Sequence, residues 1–303
     1  MRTILHISDV HFGPPHLPRI SEGVLALVEQ RRPDLVVVSG DLTQRALPEQ
    51  FREARAWIDR IPAATLVVPG NHDIPFHKPL HRLWRRFIEP FGEYRRFFSP
   101  ELEPLYSDPE LVVVGINTAH GWTIKDGTVR LKRLLEVAEI FGQAAAGAFK
   151  VVVAHHQLVP APGFGSQSVS THADEAVELF ARCGVELVLS GHLHQGYVAS
   201  SEAFYPRAGQ PMVILHSGTT TSSRGRGYER DRNTCNWIEV DSNTLSITAL
   251  VWHPVSTSFV TQSRHWYPRR PTLGGAAQAP STPLRDTPAI TLQSTGNSTP
   301  PAL

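Results

Sequence analysis

Ile4-Leu5-His6-Ile7-Ser8-Asp9-Val10-His11 is the stretch that decides the fold. Ile4–Ile7 reads as a short buried strand, and it stops at an aspartate and a histidine two positions apart. The pattern recurs along the chain. Leu35–Val38 is a β-branched strand closed by Gly40-Asp41. Thr65–Val68 is a third, closed by Pro69-Gly70-Asn71-His72-Asp73. Lys150–Ala154 runs into His155-His156, and Leu187–Leu189 into Gly191-His192-Leu193-His194. Between these strands lie segments with helical spacing: Ile20–Arg32, ended by Pro33; Pro48–Arg60, with proline in its first turn; Arg130–Phe141; and Asp174–Cys183. Leu111–Ile116 is a further strand. Strands alternating with helices predict βαβ units and a largely parallel sheet, an α/β fold.

After Gly191 the rhythm changes. Gly196–Ser200, Met212–Leu215, Asn236–Val240, Leu245–Val251 and Ser258–Thr261 read as strands, which predicts a second sheet of more antiparallel character. Residues 1–267 are expected to form one domain. From Pro268 to Leu303, seven prolines fall in 36 residues among Ser, Thr, Gly and Ala. Such a segment buries too little apolar surface to offset its ordering entropy, so a disordered tail is expected at 268–303. An insertion at about 74–106 is aromatic and basic, with Phe76, Trp84, Phe87, Phe91, Tyr94, Phe97 and Phe98 among arginines. It reads as a helical flap over one end of the domain, or as a substrate wall.

Composition narrows the function. The 303 residues carry 29 Lys+Arg against 28 Asp+Glu, a net charge of +1, so bulk charge does not advertise nucleic acid or an anionic membrane. The two cysteines, Cys183 and Cys235, exclude a disulfide scaffold and a thiolate-rich metal site, and both read as packing residues. No apolar run approaches the roughly 20 residues of a membrane span. Met1-Arg2-Thr3 leads straight into Ile4–Ile7 without the pattern of a secretory signal, which predicts a cytoplasmic protein.

The five motifs stand at the carboxyl ends of their strands, the edge where open α/β sheets bind ligands. They supply seven oxygen and imidazole donors: Asp9, His11, Asp41, Asn71, His155, His192 and His194. A set without sulfur suits Mn, Fe, Zn, Co or Ni and disfavours copper(I). One ion takes three or four protein ligands. Seven donors with one shared carboxylate serve two ions about 3.5–4 Å apart. Gly40, Gly70 and Gly191 read as points where the backbone turns sharply beside a crowded site.

Taken together, Asp9-x-His11, Gly40-Asp41, Gly70-Asn71-His72-Asp73, His155 and Gly191-His192-x-His194 resemble the calcineurin-like metallophosphoesterases over about residues 3–260. The resemblance implies a four-layer α-β-β-α sandwich, with two mixed sheets between helices. It implies one metal held at Asp9, His11, Asp41 and His194, and another at Asp41, Asn71, His155 and His192, with Asp41 bridging. His72 matches a histidine that faces the scissile phosphate, and His156 stands beside the ligands. The mechanism implied is in-line attack by a hydroxide that bridges two transition metal ions (Mn, Fe, Zn or Co). His72 would stabilise the developing charge and protonate the leaving group.

Gly40-Asp41-Leu42-Thr43, Gly-Asn-His-Asp73, His155-His156 and Gly-His-Leu-His-Gln195 are most similar to class III cyclic nucleotide phosphodiesterases and their glycerophosphodiesterase relatives. The Gly-Asp-x-x-Asp-Arg-Gly and Gly-Asn-His-Glu signatures of protein phosphatases are missing. A repair nuclease would be expected to carry a histidine shortly after the second-motif aspartate and an appended DNA-binding region; Leu42-Thr43-Gln44 and the near-neutral charge argue against that branch. The resemblance therefore implies a phosphodiesterase, with a 3',5'-cyclic nucleotide as leading substrate and no nucleic-acid partner. A phosphomonoesterase or a nucleotide pyrophosphohydrolase would use the same site. A non-catalytic scaffold is disfavoured because every motif position is filled.

Other residues carry weaker expectations. Asn117 and His120 follow a strand and are candidates to line the pocket. Arg224 and Arg226 sit in a Ser/Gly/Arg loop able to hold an anion. His77 and His81 read as surface helix positions, His6 as structural, and His216 as a buried, satisfied histidine.

Overall fold

Alternating side-chain direction along central strands that are buried on both faces sorts the chain into layers. The computed structural model describes residues 1–76, 80–122, 125–161 and 169–269, with side chains of the helix beginning at Leu80 described from Trp84 onward. Its elements are β1 (Arg2–Ile7), α1 (Pro18–Arg31), β2 (Leu35–Val38), α2 (Pro48–Ile58), β3 (Ala64–Val67), α3 (Leu80–Ile88), α4 (Gly92–Phe97), β4 (Leu105–Ser107), β5 (Leu111–Ile116), α5 (Leu131–Gly142), β6 (Phe149–Ala154), α6 (Ala173–Arg182), β7 (Leu187–Ser190), β8 (Tyr197–Ser200), β9 (Val213–His216), β10 (Thr234–Val240), β11 (Thr244–His253) and β12 (Ser258–Pro268). His77 and the side chain of His81 lie outside the described residues.

Two six-stranded sheets result. The first has the order β12-β11-β10-β1-β2-β3 and the second β4-β5-β6-β7-β9-β8. β1, β2 and β3 are mutually parallel, as are β5, β6, β7 and β9. In β2, Val36 and Val38 face α1 and α2, meeting Val24, Leu27, Phe51 and Trp57. Leu35 and Val37 face the other way, toward Val113, Val151, Val153, Leu187 and Leu189 of the second sheet. The outer face of that sheet, with Val114, Val152 and Val188, packs on Leu134, Val137, Phe141, Val177 and Phe180 of α5 and α6. The period-2 pattern of doubly buried strands thus builds helix, sheet, sheet and helix in four layers. Cys183 and Cys235 are free and buried in the two outer cores.

The last strands do not form a sheet of their own. β8 and β9 extend the second sheet, and β10–β12 return to the first, where β10 pairs antiparallel with β1. β1 has one edge taken by β2. Its other edge is paired by β10 instead of being left open, which also protects it from aggregation. β4, in the aromatic and basic insertion, was not expected as a strand; it pairs antiparallel with β5. The rest of that insertion divides. Phe91, Tyr94 and Phe98 join the core against Phe51, with Tyr94 edge-on to Phe51 at 5.9 Å. Phe76 and Arg86 instead line the main cavity.

β12 runs seven residues past the expected Thr261, and the expected tail beginning at 268 overlaps the described residues at Pro268 and Arg269; residues 270–303 lie outside them. Arg269 makes a bidentate pair with Glu186 at 2.8 and 3.1 Å, donates to the Asp241 and Gly147 carbonyls, and stacks over Phe149. This pair joins the end of the first sheet to the second sheet, and both partners are largely buried. Arg269→Ala leaves Glu186 unpaired and is expected to lower the melting temperature by about 4 °C or more. Removal of residues 270–303 should shift it by less than about 1 °C. Thermal unfolding of the two variants checks both expectations.

Candidate metal centre

The motif loops continue the pairing of their strands. Asp9 N–H donates to the Gly40 carbonyl, His11 N–H to Asp41, Phe12 N–H to Leu42 and Gly191 N–H to His155. The Asp73 carboxylate ties in the third loop. It accepts from the Gly70, Leu42 and Thr43 amides and from the Thr43 hydroxyl, at 2.9–3.2 Å. Burial, with the Asp41 charge nearby, pushes Asp73 up to about 7.

The glycines act in two ways. Gly40 turns at φ +98°, a region that favours glycine. Gly70 is extended, and Gly191 also lacks a positive φ. A Cβ on Gly70 would strike the Asp41 carboxylate, and one on Gly191 would strike Ser8 and Asp9. Close approach, not a sharp turn, is what these two positions require. The turning is done by the donors themselves: Asp9 (φ 53°), His11 (52°), Asp41 (53°), His192 (73°) and His194 (56°) are all left-handed. Five of the ten described non-glycine residues in that region are therefore candidate ligands. Each costs roughly 1–2 kcal/mol, and such strain persists where the surrounding fold over-determines it.

All seven expected donors meet. Asp9, His11, Asp41 and His194 present ligand atoms within 4.8 Å of one another. His194 Nε2 lies 3.1 Å from Asp9 Oδ1 and 3.0 Å from His11 Nε2. His11 Nε2 lies 3.7 Å from both Asp9 Oδ1 and Asp41 Oδ2. Beside this group, Asn71 Oδ1 is 3.1 Å from His155 Nε2 and 3.0 Å from His192 Nδ1. His155 Nε2 is 3.3 Å from Asp41 Oδ1. The two oxygens of Asp41 thus face the two groups separately. His156 belongs to the second cluster with His155 and His192; its Nδ1 meets Thr118 Oγ1 at 2.8 Å and its Nε2 is buried without a hydrogen-bond partner.

The donor set fits cations. Asp9 Oδ1 and Asp41 Oδ2 are buried and receive no hydrogen bond. His194 Nδ1–H donates to the Arg224 carbonyl and His155 Nδ1–H to the Ser39 carbonyl, at 2.9 and 2.7 Å, which leaves each Nε2 as a lone pair aimed at a carboxylate. Lone pairs converging on buried carboxylate oxygens repel one another unless a positive charge lies between them. In the metal-free protein that charge is a proton. Burial disfavours it on His155, but Asp41 and Asp9 outweigh burial and raise the ring to about 9. Burial pushes His192 down to about 3 and His11 well below its usual range. Burial would raise Asp9, yet the His194 and His155 rings hold it low.

A half-open cavity of about 510 Å³ lies over the cluster, within the range of small-molecule sites. Asp41, Asn71, His72, His192 and His194 form its floor, and Gln44, Arg45, Phe76, Lys125, Arg224 and Arg226 are among its walls. His72 Nδ1–H donates to the Gln44 carbonyl at 3.0 Å, and its backbone N–H donates to Asp41 Oδ1 at 2.9 Å. Asn117 and His120 do not line the cavity. Asn117 Oδ1 closes a local turn onto the Ala119 amide, and His120 Nε2 bonds Thr128 Oγ1. Their place after β5 carried no information about direction. Gln44, Phe76 and Lys125 do line it; only Phe76 was singled out in the sequence, as part of an aromatic segment. His6 and His216 lie buried beneath the site, His6 on Ser39 Oγ and His216 stacked on Tyr197 at 4.1 Å. Burial lowers both to about 3, so both rings are neutral.

The raised His155 value has a sign. Its charge contributes stability that is complete below pH 6.5 and lost as pH rises through about 9. Metal-free protein should therefore melt progressively lower across that interval. A metal ion bound at His155 would displace that proton, in which case manganese affinity is expected to climb with pH, by up to roughly tenfold per unit for one proton. Calorimetry at several pH values, with proton release measured at neutral pH, checks this.

Comparison with known proteins gives the family. The chain is 26% identical over 258 residues to a probable cyclic nucleotide phosphodiesterase of Synechococcus sp., covering 79% of this chain and 94% of that protein. It is 35% identical over 80 residues to the glycerophosphodiester phosphodiesterase GpdQ of Enterobacter lignolyticus, covering 23% of this chain and 29% of that one. Among solved structures, the fold is similar to a purple acid phosphatase of yellow lupin, Lupinus luteus (TM-score 0.68, 12% identity, 94% of this chain), although the chain spans only 57% of the lupin protein. It is also similar to a dimetal phosphatase of Danio rerio (TM-score 0.56, 11% identity, covering 82% and 95%). Among the described residues no helix is long and apolar enough to cross a membrane. Residues 2–196 match the family model of the calcineurin-like phosphoesterases, and the chain belongs to that family of dinuclear, metal-dependent phosphoester hydrolases.

Proposed function

We propose that the chain hydrolyses a small phosphodiester, with a 3',5'-cyclic nucleotide as leading substrate. The observation that carries this reading is the half-open, mixed cavity above the donor cluster. Its volume of about 510 Å³ suits a nucleotide, and its walls pair the ring of Phe76 with the cations Arg45, Lys125 and Arg226. The likeness to the Synechococcus protein over most of both chains supports it.

In this reading Asp9, His11, Asp41 and His194 hold one ion, and Asp41, Asn71, His155 and His192 the other. Mn, Fe, Zn or Co would suit these donors. Bound there, such ions would supply charge neutralisation for phosphoryl oxygens and acidification of water. The remaining work falls to the chain. His72 Nδ1–H donates to Gln44 O and its Nε2 accepts from Arg224 Nη1 at 3.3 Å; a proton taken up at Nε2 releases Arg224 and turns that atom into a donor toward the substrate. His72 stands beside Asn71 and Asp41, on the cavity floor, where it meets the phosphoryl or leaving oxygen as charge builds there. Phe76, with the Arg86 guanidinium 5.4 Å from its ring centroid, is the aromatic wall beside which a base would lie.

Two measurements test this. His72→Ala should lower turnover by about 10²–10⁴-fold while manganese content stays near that of the wild type; loss of metal would make His72 a ligand instead. Manganese-loaded protein should cleave cyclic AMP, cyclic GMP, glycerophosphodiesters or a generic aryl diester in preference to the aryl monoester. A monoester preferred by orders of magnitude would overturn the diesterase assignment.

A further inference from the structure

Gln44 and Arg224 come from loops 180 residues apart and meet over the candidate metal centre. Arg224 Nη1 donates to Gln44 Oε1 at 2.7 Å and to His72 Nε2 at 3.3 Å. Gln44 also accepts from His72 Nδ1–H through its main-chain oxygen. The three residues therefore close a ring of hydrogen bonds in which every donor and acceptor agrees: His72 Nδ1–H to Gln44 O, Arg224 Nη1–H to Gln44 Oε1, Arg224 Nη1–H to His72 Nε2.

This ring uses only Nη1 of the guanidinium. Among the described residues, the Nε and Nη2 edge has no hydrogen bond, and Arg224 forms no ion pair with a carboxylate. The side chain is nevertheless half-buried and lines the cavity. Burial works against its charge, as does the neighbouring Arg226, and the carboxylates that it feels are Asp41 and Asp9. Both belong to the proposed metal ligands, so cations bound there leave the guanidinium without an acidic counterpart. A half-desolvated guanidinium, locked at one nitrogen and open along its other edge, is built to receive an oxyanion.

We propose that Arg224 is the anion fork of this site. Its Nε–Nη2 edge takes non-bridging oxygens of the substrate phosphoryl group, and Gln44 is the positioning residue that aims it. The assignment rests on the phosphoester reading above and adds to it a fixed, metal-independent contact for the phosphoryl group. It also explains why the loop lies where it does. The Arg224 carbonyl orients the His194 ring while its side chain reaches His72, so one residue spans the metal site and the substrate site. Arg226, in contrast, is exposed, and its backbone N–H is held by the His194 carbonyl.

Side-chain substitution separates the two roles, because it leaves the Arg224 carbonyl in place. With manganese-loaded protein, Arg224→Ala should weaken inorganic phosphate binding, measured by calorimetry, by about 10-fold or more, and raise KM for bis(4-nitrophenyl) phosphate by a similar factor. Manganese content and melting temperature should match the wild type. Arg224→Lys should recover only part of the affinity, since an ammonium is a point charge without the planar two-nitrogen edge that meets two oxygens while Nη1 holds Gln44. Gln44→Ala should give a smaller rise of KM in the same direction. Phosphate affinity and KM within twofold of wild type in Arg224→Ala would overturn the proposal. So would loss of manganese in that variant, which would place its effect at the metals. A wild type that binds manganese and phosphate yet cleaves no ester would overturn the hydrolase reading alone, and the phosphate comparison would still decide the role of Arg224.

Discussion

The structure turns on one buried carboxylate. Asp41 follows β2 in a left-handed conformation and presents its two oxygens to two different sets of donors. Oδ1 also receives the His72 amide, which pins the third motif loop, while the Asp41 carbonyl receives the His11 amide from the first. Gly70 has no room for a side chain because Asp41 occupies that space. A buried charge of this kind is costly unless it is matched, and nearly every unusual feature of the site serves to match it.

The sandwich beneath makes that arrangement rigid. Strands parallel and side by side deliver loops to one edge in a fixed register, and the loops continue the pairing for several residues. The inter-sheet core of Ile4, Val37, Val68, Val153, Leu189 and Leu215 lies under them, close-packed and almost wholly buried. Five strained backbone conformations are tolerable there because the loops cannot relax without breaking this core and its hydrogen bonds. Far along the chain, Arg269 and Glu186 fasten the two sheets together, so the C-terminal strand contributes to the platform though it carries no site residue.

The centre and its walls have different origins. The donors come from strand ends, where geometry is set by the sheet. The walls come from outside the strands: Phe76 and Arg86 from the insertion, the latter on α3, Gln44 from the loop after β2, and Arg224 from the loop between β9 and β10. Chemistry shared across a fold resides in the first group, and substrate choice in the second.

What the sequence determined by itself is the part governed by local rules. Periodicity located the strands of both sheets except β4, and the motif at each strand end named Asp9, His11, Asp41, Asn71, His155, His192 and His194, because a strand terminus is a local feature and a metal donor is a residue type. The start of α2 at Pro48 and the end of α1 just before Pro33 were legible for the same reason, whereas the start of α1 at Pro18, two residues before the expected Ile20, was not. Three things needed tertiary structure. The return of β10–β12 to β1 depends on which sheet edge is open, and no short-range pattern records that. That Gln44 and Lys125 line the cavity while Asn117 and His120 turn to local partners depends on the direction in which each loop leaves its strand. The meeting of Gln44, His72 and Arg224 depends on contacts between segments up to 180 residues apart, where a hydrogen bond exists only once the whole chain has packed.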